Sequence, residues 1–356
     1  MTKLLPSILT LSLGIMSAIV TAADRDETQD LQRDVDLSEL GQSAATGLLS
    51  GTAAEHSPGY LVFCPCMGRL GNQVAHLLGA MAAAHQSGRV LVLPPFIEFS
   101  GRETRFVPFE TYFSLAAVRE FVPAVSLEEF LADEAAWPLA ERRLYCPRGG
   151  EKTTCQELHG NPQKTFWDYH GVEFVASNSF EFADSVSAAI TINLPSGSHP
   201  VVAMASSPGS FPVAVENRYL QQYLKWSDTI REQGETFIGE QLIRPILAVH
   251  LRNGNDWKRA CSHGTGLTEF MSSPQCGYFA GAADGPTHII SEAMCLPGPA
   301  EAVRAINAAN VAPGPFKSVF IGTDRDDYRA EIKKAVGEDV QVVRGGSPTL
   351  DLYIFA

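Results

Sequence analysis

Two stretches of the chain combine residue types that can bind phosphate, and the first begins at Tyr60. Its sequence, YLVFCPCMGRLGNQ, passes from a strand-like run through a Cys-Pro-Cys segment into a loop with two glycines, Arg69 and Asn72. Apolar residues then recur at helical spacing: Val74, Leu77, Leu78 and Met81. With the strand-like run Val90 to Leu93, this predicts a βαβ unit. Loops at such turns lie where open α/β sheets bind ligands, and the helix start can receive phosphate.

The second stretch is the run from Ile246 to Leu251, which is typical of a buried strand and delivers Arg252 at its end. An arginine there can make a bidentate, charge-assisted contact with phosphate. His250 alternates to the same side of the strand, although a core histidine with satisfied hydrogen bonds is the commoner case. Arg252 and the amides of residues 68–72 would hold a diphosphate across a cleft. The alternative is a structural ion pair between Arg252 and Asp256.

A third segment, Asp324-Arg325-Asp326, has the DxD shape with which metal-dependent glycosyltransferases hold a cation. Two carboxylates are few ligands for Mg²⁺ or Mn²⁺. Because the triplet follows a strand and precedes a helix, N-capping of that helix explains it better. We therefore predict no metal site.

The elements that must position these segments alternate between strand and helix. After residue 246, we expect a helix between Ala300 and Val311, a strand over 318–322, a helix from Tyr328 to Val336 and a strand over 340–343. This alternation predicts an α/β fold with parallel sheets covered by helices, in two Rossmann-like halves around a cleft. We place the N-terminal half at 58–241 and the C-terminal half at 242–356.

The N-terminus and the composition indicate a secretory protein. Residues 1–22 have the lysine, apolar run and small residues of a signal peptide, with a signal anchor as the alternative; residues 23–57 form a polar lead-in that we expect to be flexible. The net charge of −13 argues against nucleic acid and anionic membrane surfaces as partners. After cleavage we expect a soluble protein in a secretory lumen, without a membrane span.

The seven cysteines are therefore read as disulfide formers, and their odd number leaves one over. Short separations favour the local pairs Cys64–Cys66 and Cys146–Cys155. No two close ligand pairs have zinc spacing. The Cys-Pro-Cys segment is better explained as a structural brace than as a redox centre.

Five segments in order, "GYLVFCPCMGRLGNQ", "HLRNGNDW", "SPQCGY", "MCLPG" and "DLYI", resemble the type 1 GDP-fucose protein O-fucosyltransferases, which modify EGF-like repeats in the endoplasmic reticulum. The resemblance covers the chain from Gly59 to its last residue. It implies a GT-B fold, GDP-fucose as donor and no required cofactor or metal. It also implies inverting transfer to Ser or Thr of folded EGF-like repeats of Notch-type proteins, by a monomer.

The resemblance also implies roles for individual positions. Substrate contacts are expected at Arg69, Leu70, Gly71, Asn72, His250, Leu251, Arg252, Asp256 and Asp351. Arg252 would act at the β-phosphate and stabilise the departing diphosphate, and Asn72 would position the acceptor hydroxyl; these are the two expected catalytic residues. Asp256 would support the Arg252 loop, and Asp351 would bind the guanine edge. An oxocarbenium-like transition state does not require a strong base.

Two further expectations follow from the resemblance. It pairs Cys261 with Cys295, and it pairs Cys276 with a cysteine of a C-terminal segment that this sequence lacks, so we expect the chain to be C-terminally incomplete.

The rival functions are a non-catalytic lumenal binder or folding assistant of EGF-repeat proteins, and a fucosyltransferase acting on thrombospondin-type repeats or glycans.

Overall fold

The computed structural model describes residues 58–66, 68–100, 103–148, 166–181, 185–211, 213–264, 295–309 and 315–355. The predictions for residues 1–57 lie outside this part of the chain. The strands are β1 (Tyr60–Phe63), β2 (Val90–Leu93), β3 (Phe96–Ser100), β4 (Glu103–Val107), β5 (Ala124–Ser126), β6 (Arg143–Arg148), β7 (Ala176–Glu181), β8 (Val201–Met204), β9 (Ile246–Leu251), β10 (Ser318–Thr323) and β11 (Gln341–Arg344). The α-helices are α1 (Leu70–Gln86), α2 (Phe109–Tyr112), α3 (Leu115–Arg119), α4 (Leu127–Ala132), α5 (Phe166–Tyr169), α6 (Val186–Asn193), α7 (Asp228–Gln241), α8 (Asn255–Gly264), α9 (Pro299–Ala309), α10 (Arg329–Val336) and α11 (Pro348–Phe355).

The first sheet has six parallel strands in the order β5-β2-β1-β8-β6-β7. Its central strand β1 is apolar at successive positions because both of its faces are covered. Leu61 and Phe63 lie in one core cluster, and Val62 lies in the cluster on the opposite face. A continuous apolar run is the expected pattern for a strand buried on both sides of a parallel sheet.

The second sheet has the parallel order β11-β10-β9. The same rule applies to β10, where Val319 and Ile321 face one core cluster and Phe320 faces the other. The register of β9 and β10 pairs Leu251 with Thr323, so the loops after these two strands leave the sheet side by side. That juxtaposition builds half of the site described below.

Two helices connect the halves. Helix α7 contributes Ile230 to the core of the first sheet, and near its end Phe237 packs against the core of the second. Helix α11 lies against α7, and the ring of Tyr353 occupies the space that any side chain at Gly234 would take. The predicted boundary between the halves coincides with the end of α7 at Gln241 and stays a prediction.

The predicted α/β class, with two parallel sheets, is confirmed, and the elements expected after residue 246 form within one or two residues of their predicted limits. Within the described ranges, no helix combines the length and apolarity that a bilayer crossing needs.

Candidate active site

The loop after β1 is held by a disulfide and by a close side-chain contact. Cys64 and Cys66 are bonded, as predicted, with their Cα atoms 5.0 Å apart. Gly68 adopts φ +70°, and a Cβ atom there would lie 2.5 Å from the Asn72 side chain. Glycine is therefore needed at position 68 for two reasons: it allows the left-handed backbone turn, and it leaves space for the Asn72 side chain. Arg69 is exposed and directly precedes helix α1.

The start of α1 is suited to an anion. Leu70 packs partly against the core, whereas Gly71 is exposed, and a Cβ atom at this position would meet none of the described heavy atoms within 4 Å. No described side chain caps the helix, and its first turn holds no acid. Its first backbone N–H groups therefore remain available, and the helix dipole adds partial positive charge there.

Gln73 anchors this loop, a role that sequence reasoning missed. Its side chain is 1% exposed. Its Nε2 donates to the carbonyl of Ile97 at 2.8 Å and to that of Gly68 at 3.2 Å, while Oε1 accepts from the Ile97 amide at 2.8 Å. One buried amide thus ties the glycine turn to strand β3.

Arg252 lies at the end of β9 and joins two carboxylates. Its Nη2 donates to Asp256 at 2.6 Å, and its Nη1 donates to Asp324. The guanidinium also lies 5.8 Å from the ring of Trp257, whose indole N–H donates to the carbonyl of Cys295 at 2.9 Å. The ion pair with Asp256, which the sequence left as an alternative to phosphate binding, is therefore formed, together with an unforeseen one to Asp324.

The N-capping explanation of Asp324 and Asp326 is wrong. Helix α10 begins after Tyr328, which adopts φ +48° and provides no side-chain cap. The Asp324 carboxylate instead accepts from the backbone amide of Asn253 at 2.8 Å and from Arg252. The parallel pairing of β9 with β10 brings residue 324 beside residue 252, and local sequence rules do not contain that pairing.

The two residues that precede Arg252, at the end of strand β9, differ in how far their side chains are buried. His250 is largely buried, with its ring centroid 5.7 Å from that of Phe355. Burial lowers the pKa of His250, the Asp324 charge raises it and the Arg252 charge lowers it further. Leu251 is 2% exposed and its side chain belongs to the core, so any contact of this residue with a ligand has to come from its backbone.

Asp256 connects the two loops electrostatically. Burial raises its pKa, but the hydrogen bond and charge of Arg252, the Trp257 amide and the charge of Arg69 lower it, and the net direction is down. The charge of Arg69, in the loop after β1, is thus one of the charges that act on Asp256 in the loop after β9. The two segments singled out by sequence are therefore electrostatically coupled.

Asp351 lies on helix α11 beside strand β10, where a Cβ atom at Gly322 would lie 3.5 Å from the Cβ atom of Asp351. Its Oδ1 is buried and has no hydrogen-bond partner among the described residues, and a side chain at Gly345 would collide with the carboxyl group. Burial raises its pKa to about 6, against lowering contributions from the Ser347 amide, the charge of Arg344 and the Gly346 amide. A carboxylate in this state has unused acceptor capacity for a ligand with N–H donors.

The remaining cysteine predictions are answered in part. Cys261 and Cys295 are bonded, with Cα atoms 5.7 Å apart, and this disulfide lies beside Trp257. Cys146 is disulfide-bonded, while its expected partner Cys155 lies outside the described residues, as does Cys276. In the part of the chain that is described, no cluster of three metal-ligating side chains occurs.

Two parallel, helix-covered sheets, with the uncapped start of α1 after a strand of the first and the Arg252 loop after a strand of the second, form the GT-B-like arrangement of a glycosyltransferase. The model of the family "GDP-fucose protein O-fucosyltransferase" matches residues 60–354. The chain belongs to this family of glycosyltransferases. The resemblance recognised in the sequence is thereby confirmed.

Individual relatives agree with the family match. GDP-fucose protein O-fucosyltransferase 1 of Caenorhabditis elegans is 35% identical over 303 residues, which are 78% of this chain and 75% of that protein. A crystal structure of POFUT1 in complex with GDP aligns with a TM-score of 0.73 and 34% identity, over 85% of this chain and 89% of that chain. POFUT1 in complex with GDP-fucose aligns with a TM-score of 0.70 and 34% identity, over 83% and 88%.

Proposed function

We propose that this enzyme transfers fucose from GDP-fucose to a Ser or Thr of a folded EGF-like repeat, with inversion, in the lumen of the endoplasmic reticulum. The acceptor oxygen attacks C1 of fucose, the bond from C1 to the β-phosphate oxygen breaks, and GDP and a proton are released. The observation that carries the proposal is the position of Arg252 at the carboxyl end of β9, in a chain whose residues 60–354 match the family model of GDP-fucose protein O-fucosyltransferases.

Arg252 is the proposed electrostatic catalyst. A guanidinium has five N–H groups, and each of its two terminal nitrogens donates one of them to a carboxylate here. Three N–H groups therefore remain for the diphosphate of GDP-fucose. Negative charge grows on the β-phosphate as the sugar departs, and a fixed cation there lowers the barrier. The dipole of α1, with Arg69 before it, adds positive potential on the opposite side.

Asn72 and Asp351 are proposed to fix the other two parts of the reaction. Asn72 is partly exposed above Gly68, where its amide can position the acceptor hydroxyl. Asp351 offers a carboxylate with one oxygen that has no partner in the described part of the chain, and a carboxylate can accept from the adjacent N–H donors on the edge of guanine. We propose that His250, through its ring, and Leu251, through its backbone, line the donor side, and that Asp256 supports the loop.

The compartment and the acceptor follow from two supporting facts. The bonded pairs Cys64–Cys66 and Cys261–Cys295 suit an oxidising lumen. The relatives carry the name of protein O-fucosyltransferases, so a protein acceptor is the natural first choice. EGF-like repeats of Notch-type receptors and ligands are the proposed partners, with this enzyme acting as a monomer and without a metal.

A mass-spectrometric transfer assay tests this proposal. The protein is incubated with GDP-fucose and a folded EGF-like repeat, with a reduced repeat, a repeat whose acceptor residue is replaced by Ala, a thrombospondin-type repeat and a free glycan as comparisons. We expect one fucose on the folded EGF-like repeat only. Transfer to another acceptor would replace the EGF assignment, and repeat binding without any GDP affinity would establish the non-catalytic binder instead.

A further inference from the structure

The carboxylate of Asp324 is the more enclosed of the two that hold Arg252. The Asp324 side chain is 27% exposed, whereas that of Asp256 is 57% exposed. A side chain at Gly254 would approach the Asp324 carboxylate to 2.6 Å, so the glycine leaves the space in which this carboxylate sits. Asp324 is therefore fixed in place, while Asp256 stands at the open side of the guanidinium.

Asn253 fastens Asp324 to the Arg252 loop. Its backbone amide donates to Asp324 at 2.8 Å, and its side chain is 6% exposed with donor and acceptor both used. The Nδ2 group donates to the Asp326 carbonyl at 2.7 Å, and Oδ1 accepts from the Asp326 amide at 3.1 Å and from the Thr323 hydroxyl at 3.2 Å. Four hydrogen bonds of Asn253 thus tie the loops after β9 and β10 to each other.

The direction of a guanidinium decides where its free N–H groups point. Arginine is planar, and its donors form a fixed fork, so a carboxylate held on one end orients the others. Displacements of about 1 Å in a reacting group can cost about 100-fold in rate. The side chain that sets the angle of Arg252 therefore controls how well its remaining donors meet the charge on a departing phosphate.

We propose that Asp324, held by Asn253, is the positioning residue that orients Arg252 toward the donor diphosphate. This inference rests on the proposed function, because it needs Arg252 to meet that diphosphate. It gives the DxD segment a role that involves neither a metal nor a helix cap.

The test compares Asp324→Asn with Asp326→Asn. Asparagine at 324 keeps a carbonyl oxygen for the Asn253 amide, but its NH₂ group faces the guanidinium, and two donors cannot pair. Asp326→Asn makes the same chemical change two residues away, on a carboxylate that is 57% exposed and lies 3.7 Å from Arg325. Both variants remove one negative charge from the same loop, so the difference between them reports the contact with Arg252.

Steady-state transfer and acceptor-free hydrolysis of GDP-fucose are measured for each variant, with kcat counted per GDP-binding site from calorimetry. For Asp324→Asn we expect kcat to fall about 10- to 100-fold in both reactions while KM for GDP-fucose stays within about threefold. Asp326→Asn should stay within about twofold of the unchanged protein. An Asp324→Asn kcat per site equal to that of Asp326→Asn overturns the inference, even if fewer sites survive purification.

Asn253→Leu provides a second variant that leaves both charges in place. It removes the side-chain tethers between the loops, and we expect kcat per site to fall about tenfold. Unchanged kcat per site would remove Asn253 from the proposal.

Hydrolysis separates this inference from the acceptor assignment. A protein that hydrolyses GDP-fucose but modifies no repeat loses the proposed acceptor, and the hydrolysis comparison still decides the role of Asp324. A protein that binds no GDP overturns both proposals together.

Discussion

Replacing the half-buried Asp351 of helix α11 by Asn should stabilise the free protein and weaken its binding of GDP. Burial raises the pKa of Asp351 from 3.8 to about 6. Well below pH 3.8 the folded and unfolded chains are both protonated at this group, so it contributes nothing. Between pH 4 and 6 the folded protein holds the proton more tightly than the unfolded chain, and its stability falls as pH rises. Above pH 6 the cost is complete.

The size of the effect follows from that difference in pKa. The full difference corresponds to about 3 kcal/mol, and because the carboxyl group is partly exposed we expect about half of it. At pH 7.5, Asp351→Asn should therefore raise the free energy of unfolding by about 1–2 kcal/mol. At pH 4 the variant and the unchanged protein should differ by only about 0.5 kcal/mol or less.

GDP binding should change in the opposite direction. A carboxylate accepts two hydrogen bonds from the guanine edge, whereas the amide of asparagine offers one acceptor and one donor. Hydrogen bonds to charged groups contribute about 1.5–3 kcal/mol, so the affinity for GDP should fall about 10- to 100-fold. In the unchanged protein, affinity should also fall as pH drops below 6, because the ligand needs the ionised carboxylate.

Denaturant unfolding at pH 4 and 7.5, with calorimetric GDP titrations, measures both effects, and Asp326→Asn serves as the control for a lost charge. An Asp351→Asn protein that is less stable than the original at pH 7.5 would contradict the cost assigned to burial. A variant that binds GDP as tightly as the original would remove Asp351 from the guanine site.

Two further predictions concern the framework of the site. Gly234→Ala places a methyl group into the ring of Tyr353, so it should lower the free energy of unfolding by about 1–3 kcal/mol and weaken GDP binding. Gly239→Ala, on the same helix, meets nothing within 4 Å and should raise the free energy of unfolding by about 0.5–1 kcal/mol. Equal stabilities of the two variants would refute the packing of α11 on α7. Replacing both cysteines of Cys261–Cys295, which are 34 positions apart, should cost about 3–4 kcal/mol, and the same change at Cys64–Cys66 about 1–2 kcal/mol, measured by denaturant unfolding. The reverse order would show that ring size does not govern these disulfides.

The sequence was sufficient for the elements that carry their own pattern. Strands β9 and β10 are built on the apolar runs 246–249 and 319–321 because both of their faces are buried, and such a run can be recognised without knowing its partners. The glycine loop and Arg252 were recognisable for a related reason, since their residue types suit phosphate wherever they are placed.

What escaped prediction depends on contacts between distant positions. Asp324 was assigned to helix capping because a local rule fits it, while its actual partner Arg252 lies 72 positions earlier and is reached only through the pairing of two strands. The same holds for His76, whose Nδ1 lies 2.7 Å from the carbonyl of Gly209, 133 positions away, and locks the loop after β8 onto helix α1. A single sequence contains no signal for such contacts.

The central claim is that Arg252 receives the β-phosphate of the donor. Calorimetric titration of the unchanged protein and of Arg252→Ala with GDP and with GMP, which lacks that phosphate, tests it most directly. We expect one GDP site per chain, a loss of at least about 10-fold in GDP affinity for Arg252→Ala, corresponding to one charge-assisted contact, and little change for GMP. Equal GDP affinity in both proteins, or equal losses for GDP and GMP, would contradict the claim.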